Sequence, residues 1–305
     1  MRQAYGDVRS EYSAIRENAA LVEGAHEVVW VTGPDSVGFL DGILSQDVAG
    51  VPEYHVARTL FLGPQGKLRA LLWIARGVER VALVVDGGQG ESLAGELGYY
   101  RIRVKADITF ESRDIWEVWG PEAHLTVPGT APGEWADLAD GIAISIGAGA
   151  LPRVLVIGAE PPELTPAGVL ATSAVRAEIG EPVFGVDVDE KTIPQETGLV
   201  GDAVSFTKGC YLGQELVARI DTRGHVNRHL RRLEMTPGPL PPEGAAVRAG
   251  DDQVGTITSV SPAPPNPTGL SLLRREVAVG DGVEVAWNGG ETTAFVRDFT
   301  GVAGQ

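Results

Sequence analysis

Lys208-Gly209-Cys210-Tyr211-Leu212-Gly213-Gln214-Glu215 holds the only cysteine of this 305-residue chain. The thiol stands between a lysine and a segment that opens like a helix. A nearby positive charge and a helix N-terminus both favour the thiolate, so the surroundings fit a functional sulfur. The plainer alternative is a buried cysteine acting as a small hydrophobe. Such a residue would need neither neighbour. Gly209 and Gly213 add a second clue, because residues without a Cβ let backbone approach a ligand or another segment closely.

Length allows two domains or more, and 43% hydrophobic residues with 22% charged residues describe a globular chain rather than a disordered one. No stretch approaches the ~18 apolar residues of a membrane helix, and the opening Met1 to Asp7 does not lead into an apolar signal region. A single cysteine excludes an internal disulfide, and a cytoplasmic protein is the expectation. The formal net charge of −16 repels nucleic acid and anionic membranes.

One window runs against that charge. Arg219 to Arg232 carries five arginines against the single acid Asp221, a local net of +4. Two readings stand side by side: a solvated turn and strand whose arginines pair with acids elsewhere, or an anion site using bidentate arginine. His225 and His229 lie four apart in this window. The segment has the composition of a turn and strand, and on a strand that spacing separates them by about 13 Å, too far to share an ion. No C-x-x-C pair and no phosphate-binding glycine fingerprint accompanies them. No metal is expected.

Periodicity gives an outline of the elements. Val8, Tyr12, Ile15, Ala19 and Val22 recur at helical spacing. A strand from Val28 to Val31 ends at Gly33, and Asp35 caps a second helix. Leu60 to Leu62 and Leu68 to Ile74 form a hairpin through Gly63-Pro64-Gln65-Gly66. Val81 to Val85 is a strand, followed by a helix with Leu93, Leu97 and Tyr100 in register. Ile102 to Phe110 alternates apolar and polar residues and is the clearest strand. A helix spans Ser173 to Ile179. After the Pro-rich turn at Thr236 to Pro242, short strands at 254–260, 270–273, 283–287 and 293–299 predict a small antiparallel barrel.

The Lys208–Glu215 stretch resembles the signature of the YgfZ family, folate-binding proteins of iron–sulfur cluster assembly and repair, related to the glycine cleavage T-protein (aminomethyltransferase). Three further stretches are similar to segments of both groups: Arg176-Ala177-Glu178-Ile179-Gly180, Phe184-Gly185-Val186-Asp187 and Pro194-Gln195-Glu196-Thr197-Gly198-Leu199. Ala20 to His26 with Val31 to Asp35 resembles their opening segment. The resemblance implies an α+β fold. A two-lobed T-protein-like folate-binding portion over residues 1–227 would precede a C-terminal antiparallel β-barrel over 228–305, around a central channel. It implies tetrahydrofolate or a related folate as cofactor, and iron–sulfur enzymes or their assembly proteins as partners. Glu178 resembles the carboxylate that accepts two hydrogen bonds from the pterin, a role matched to two adjacent donors. Arg176, Phe184, Lys208, Asp187 and Arg219 are the further candidates for the folate site, with Tyr100 or Arg103 beside them, and Cys210 is the functional thiol.

The chain also departs from the enzyme. In the hairpin strand that follows Gly66, Arg69 and Ala70 stand where the T-protein pattern has its catalytic acid. A guanidinium cannot accept a proton or hold an ammonium, so aminomethyl transfer is disfavoured at this position. The expectation is a folate-binding accessory protein with an essential Cys210. The alternative is a tetrahydrofolate-dependent one-carbon transferase or demethylase.

Overall fold

The computed structural model describes residues 2–110, 115–127, 129–147, 151–262 and 265–300, with the side chain of Arg223 also outside the described set. In chain order the first half contains α1 (Val8–Glu17), β1 (Ala20–Glu23), β2 (His26–Thr32), α2 (Ser36–Asp41), β3 (Val56–Leu62), β4 (Leu68–Arg76), β5 (Arg80–Asp86), α3 (Gly90–Tyr100) and β6 (Asp107–Phe110). There follow β7 (Ile115–Trp119), α4 (Ala123–Thr126), β8 (Trp135–Leu138), β9 (Gly141–Ile146), β10 (Arg153–Ile157), β11 (Pro166–Ala167) and α5 (Val169–Ile179). A 3₁₀ turn at Pro194–Glu196, α6 (Val200–Ala203) and α7 (Gln214–Arg223) lead to β12 (Arg228–Met235), β13 (Ala246–Ala249), β14 (Asp252–Ser261), β15 (Thr268–Arg274), β16 (Gly282–Trp287) and β17 (Gly290–Arg297).

These strands make three sheets. One has five antiparallel strands in the order β3-β4-β5-β2-β6, and the second runs β11-β1-β7-β10-β9-β8. The last six close a barrel in the order β12-β15-β14-β13-β16-β17, so the α+β class and the C-terminal barrel both hold. The barrel interior is filled by Leu233, Val247, Ile257, Leu273, Val285 and Val296. The two open sheets pack face to face, Val28, Ala82 and Val84 of one meeting Ile144, Ile146 and Leu155 of the other. Each buried Val, Ile or Leu among them contributes about 1.5–3 kcal/mol, which holds the two lobes as one body.

α5 joins all three layers. Val175 and Ile179 pack with Ile15 of α1 and Trp119 of β7, while Ala177 meets Leu230 and Leu270 of the barrel. Gly180 ends the helix at φ +70°, where an added Cβ would collide with Phe299. Only glycine satisfies both the left-handed turn and the approach of the barrel's last residues.

Four expected placements differ. The helical stripe stops at Glu17, because Asn18 leaves helical geometry and Ala20–Glu23 pairs with both β7 and β11. The alternating run from Ile102 is a strand only over Asp107–Phe110. Arg103 adopts φ +58° and Ile102 is 74% exposed, so the run bends before the strand, although Val104 and Ala106 still pack on the core. Alternation records which residues are apolar, not whether a partner strand is present. The helix carrying Arg176 starts earlier than expected, at Val169 after Gly168. Arg219 lies on α7, not on a turn or strand.

Candidate functional site

The cavity. A cavity of about 630 Å³ opens where the two sheets, α5 and the barrel meet. That volume lies within the range of about 300–1,000 Å³ usual for small-molecule sites. Val169, Thr172, Ser173 and Arg176 line it from one stripe of α5, spaced so that they share a helix face. His26 at the start of β2, Asp86 at the end of β5, Trp119 of β7, and Asp187, Ser259 and Leu270 complete its walls. Asp86 and the following Gly87 and Gly88 sit at a strand-to-helix turn, where backbone bends away and leaves room for a ligand.

The charge cluster beneath it. Arg176 donates to Asp86 at 2.5 Å, and the other Asp86 oxygen accepts from the Phe184 amide at 3.3 Å. His26 lies between Asp86 and the fully buried Glu117, with Nδ1 2.9 Å from the Glu117 carboxylate. Behind them Glu181 accepts from Arg153 at 2.7 Å and Arg58 at 3.0 Å. Burial raises a carboxyl's proton affinity, but the charges of Arg153, Arg58 and Arg176 outweigh it and hold Glu181 far below the usual carboxylate range. Arg153 stacks near the rings of Trp119 and Trp73, at 5.0 and 5.9 Å, which replaces part of its lost hydration. The Nε of Arg176 is buried without a hydrogen-bond partner. A buried donor left unmatched at a cavity wall is the kind of group a ligand acceptor or a water satisfies.

The expected residues. The sequence pair Arg176 and Glu178 faces two ways. Two residues turn a helix by about 200°, so Arg176 lines the cavity while Glu178 turns to α1. There Glu178 accepts from the Tyr12 hydroxyl at 2.6 Å and sits 3.5 Å from Arg16 Nε. Burial, then the bond to Glu178, push the Tyr12 phenol well above its ordinary value. Phe184 contacts the site by its amide, while its side chain packs against the core cluster that contains Leu60, Leu62 and Val188. Asp187 lines the cavity but is tied to the barrel, accepting from Thr258 and Ser259 at 2.6 Å each. Arg219 is exposed. Within the cationic window, Arg228 forms a bidentate pair with Glu196 at 2.8 and 3.0 Å, as the ion-pair reading of that window requires. Tyr100 packs edge-on against Phe61 at 6.2 Å. Arg69 faces outward and donates to Glu96 at 2.9 Å.

The cysteine stretch. Cys210 is exposed. Lys208, whose side chain is 2% exposed, puts Nζ within 3.1 Å of the Asp41 carboxylate and the carbonyls of Asp41, Leu44 and Gln46. Its charge is committed to the loop after α2. Helical geometry begins only at Gln214, and a helix terminus acts within its first turn, so Lys208 is engaged elsewhere and the helix end lies beyond Cys210. Gly213 has φ +79° and lies where a Cβ would strike the Gly63 carbonyl; Gly66, at φ +73°, meets Leu216 in the same way. The two glycines interlock the β3–β4 turn with the cysteine stretch. The close approach read from Gly213 is therefore to a second segment.

His26, Asp86, Glu117, Thr172 and Ser173 belong to the site without having been singled out. One signal was present: Glu117 is a lone carboxylate in the apolar run Ile115-Trp116-Glu117-Val118-Trp119. A charge in such a strand must be matched by a buried partner. Among the described residues no cluster of metal-ligating side chains occurs, and no helix is long and apolar enough to cross a membrane.

No family model matches the chain. It is 29% identical over 287 residues to the mitochondrial iron-sulfur cluster assembly factor IBA57 of Mus musculus, covering 83% of this chain and 76% of that one. It is 26% identical over 310 residues to the aminomethyltransferase of Rubrobacter xylanophilus, covering 90% and 82%. Among solved structures, the glycine cleavage system aminomethyltransferase T of Bartonella henselae superposes with a TM-score of 0.85 at 18% identity, over 97% of this chain and 89% of that one. The fold is that of aminomethyltransferase T. In sequence the chain is similar, along most of its length, both to aminomethyltransferases and to an iron–sulfur assembly factor.

Proposed function

We propose that this chain is a cytoplasmic folate-binding accessory protein that supports the assembly or repair of iron–sulfur enzymes, with Cys210 as its accessible thiol. The observation that carries this reading is the charge at the β3–β4 hairpin. On an aminomethyltransferase fold, Arg69 stands where an acid would serve amine chemistry, and it is neutralised by Glu96 outside the cavity. The similarity to an iron–sulfur assembly factor over 83% of the chain, and the exposure of Cys210, support the same direction.

The cavity suits a pteridine by its donors and acceptors. Arg176 Nε is an unmatched donor, Asp86 is a carboxylate acceptor, and Thr172 and Ser173 add hydroxyls beside them. Tetrahydrofolate supplies one-carbon chemistry at its ring nitrogens when bound. In this reading Arg176 and Asp86 hold the ring edge. Glu178, bound to Tyr12 and Arg16, keeps α5 on α1.

Two experiments test the two halves. Calorimetry with tetrahydrofolate should show binding to the native protein, at least tenfold weaker binding to Ser173→Phe, and no more than a twofold change for Glu178→Gln. Equal affinities for the native and Ser173→Phe proteins refute the cavity as the folate site. In cells lacking the protein, Cys210→Ala should fail to restore iron–sulfur enzyme activity while binding tetrahydrofolate normally. Full restoration refutes the thiol's role.

A second reading, a one-carbon transferase or demethylase, is favoured by one observation: Asp86 places a carboxylate on the cavity wall. The Arg176 contact at 2.5 Å and the Phe184 amide oppose it, because both oxygens of that carboxylate already accept hydrogen bonds. Formation of methylene-tetrahydrofolate from an aminomethyl donor decides between the two.

A further inference from the structure

The two ring nitrogens of His26 keep different company. Nδ1 lies 2.9 and 3.0 Å from the two oxygens of Glu117, and one of those oxygens also accepts from Trp119 Nε1 at 2.7 Å. Burial works to raise the Glu117 carboxyl, yet the charge of His26, the bonds from His26 and Trp119, and the charge of Arg153 hold it below the ordinary range. An ionised carboxylate only accepts, so Nδ1 keeps its proton in both charge states of the ring. Exchange is confined to Nε2.

Nε2 lies 3.5 Å from Arg176 Nη2 and 4.0 Å from Asp86 Oδ1. Arginine only donates and a carboxylate only accepts. A bare Nε2 therefore faces Arg176, and a protonated one faces Asp86, so each state has a complementary neighbour. The remaining charges of the cluster, Arg153 and Arg58 around the single Glu181, leave 2 − 1 = +1 behind this group. The same ring lines the cavity. Arg69, in contrast, sits on the outer side of its strand and handles no proton there.

We propose that His26, oriented by Glu117, is the proton-transfer residue of the cavity: Nε2–H gives its proton to a carbonyl oxygen or ring nitrogen of a bound heteroaromatic ligand and takes it back on release. The Nε2–H bond breaks as an O–H or N–H bond forms, the electron pair stays on Nε2, and nothing is oxidised or reduced. The identity of the ligand rests on the folate reading; the confinement of exchange to Nε2 does not.

Nitrogen-15 spectra of histidine-labelled native protein, taken from pH 5.5 to 9 with and without tetrahydrofolate, test the proposal. The chain has five histidines, and His26 is identified by the signal lost in His26→Gln or displaced in Glu117→Gln. The expected result is an Nδ1 that stays protonated throughout, an Nε2 that alone titrates, and a midpoint moved by ligand by about one pH unit, tenfold in proton affinity. In Glu117→Gln both nitrogens should exchange. An Nδ1 that titrates in the native protein, or a midpoint indifferent to saturating tetrahydrofolate, overturns the proposal. Absence of any binding heat refutes the folate reading instead, and an Nδ1 that titrates in the ligand-free protein still overturns the proposal.

Discussion

The charge cluster beneath the cavity and the Lys208–Glu215 stretch solve opposite problems. The first gathers Arg58, Arg153, Arg176, Asp86, Glu117, Glu181 and His26 from distant parts of the chain into a buried cluster, where the charges depend on their partners. The second is contiguous in sequence, yet most of its residues serve architecture: Lys208 binds the loop after α2, and Gly213 admits the β3–β4 turn. Cys210, by contrast, presents its side chain to solvent. A conspicuous motif can thus be mostly a joint, while a site can be assembled from residues that no motif announces.

The strongest way to break this contrast is Glu181→Gln. Removing the shared partner of two buried arginines should cost about 3–5 kcal/mol in urea denaturation at neutral pH. A loss under 1 kcal/mol would mean the cluster is hydrated and not dependent on pairing. The same residue fixes an acid response. Its native proton affinity lies below that of the unfolded chain, so its stabilisation is complete above about pH 5 and is lost progressively as pH falls further. The urea midpoint of the native protein should therefore drop steeply below pH 5, and that of Glu181→Gln less so.

Within the cysteine stretch, Lys208→Met should cost about 2–3 kcal/mol, since it strands three carbonyls and a carboxylate that the ammonium satisfies. Glu178→Gln keeps an acceptor for Tyr12 and loses only a charge, so about 1 kcal/mol is expected. Cys210→Ala should change stability by less than about 0.5 kcal/mol, as for an exposed side chain without a packing role. If Cys210→Ala destabilised as much as Lys208→Met, the distinction between joint and thiol within one stretch would collapse.

Legibility followed the range of the interactions. The hairpin at Gly63 to Gly66, strand β5, helix α3 and the barrel strands after Pro242 were all marked by local turn chemistry and short periodicity. Arg176 could be picked out by its motif, but its motif partner Glu178 was separable only once the helix face was known. His26 and Asp86 carried no local signal, because their neighbours in space are not their neighbours in sequence. Glu117 was visible as an anomaly without an explanation.

By itself the sequence determined the order of helices and strands, the closing barrel and the acidic net charge, all properties of residue type and short-range order, while the α+β class and the reading of Arg69 came through the resemblance. Tertiary structure alone decided that Lys208 is an anchor, that Glu178 looks toward α1, and that His26 joins Glu117 and Asp86 at the cavity floor. The reason is physical. Chain propensities act over a few residues, whereas the value of a buried charge is set by whichever groups long-range packing brings within about 4 Å of it.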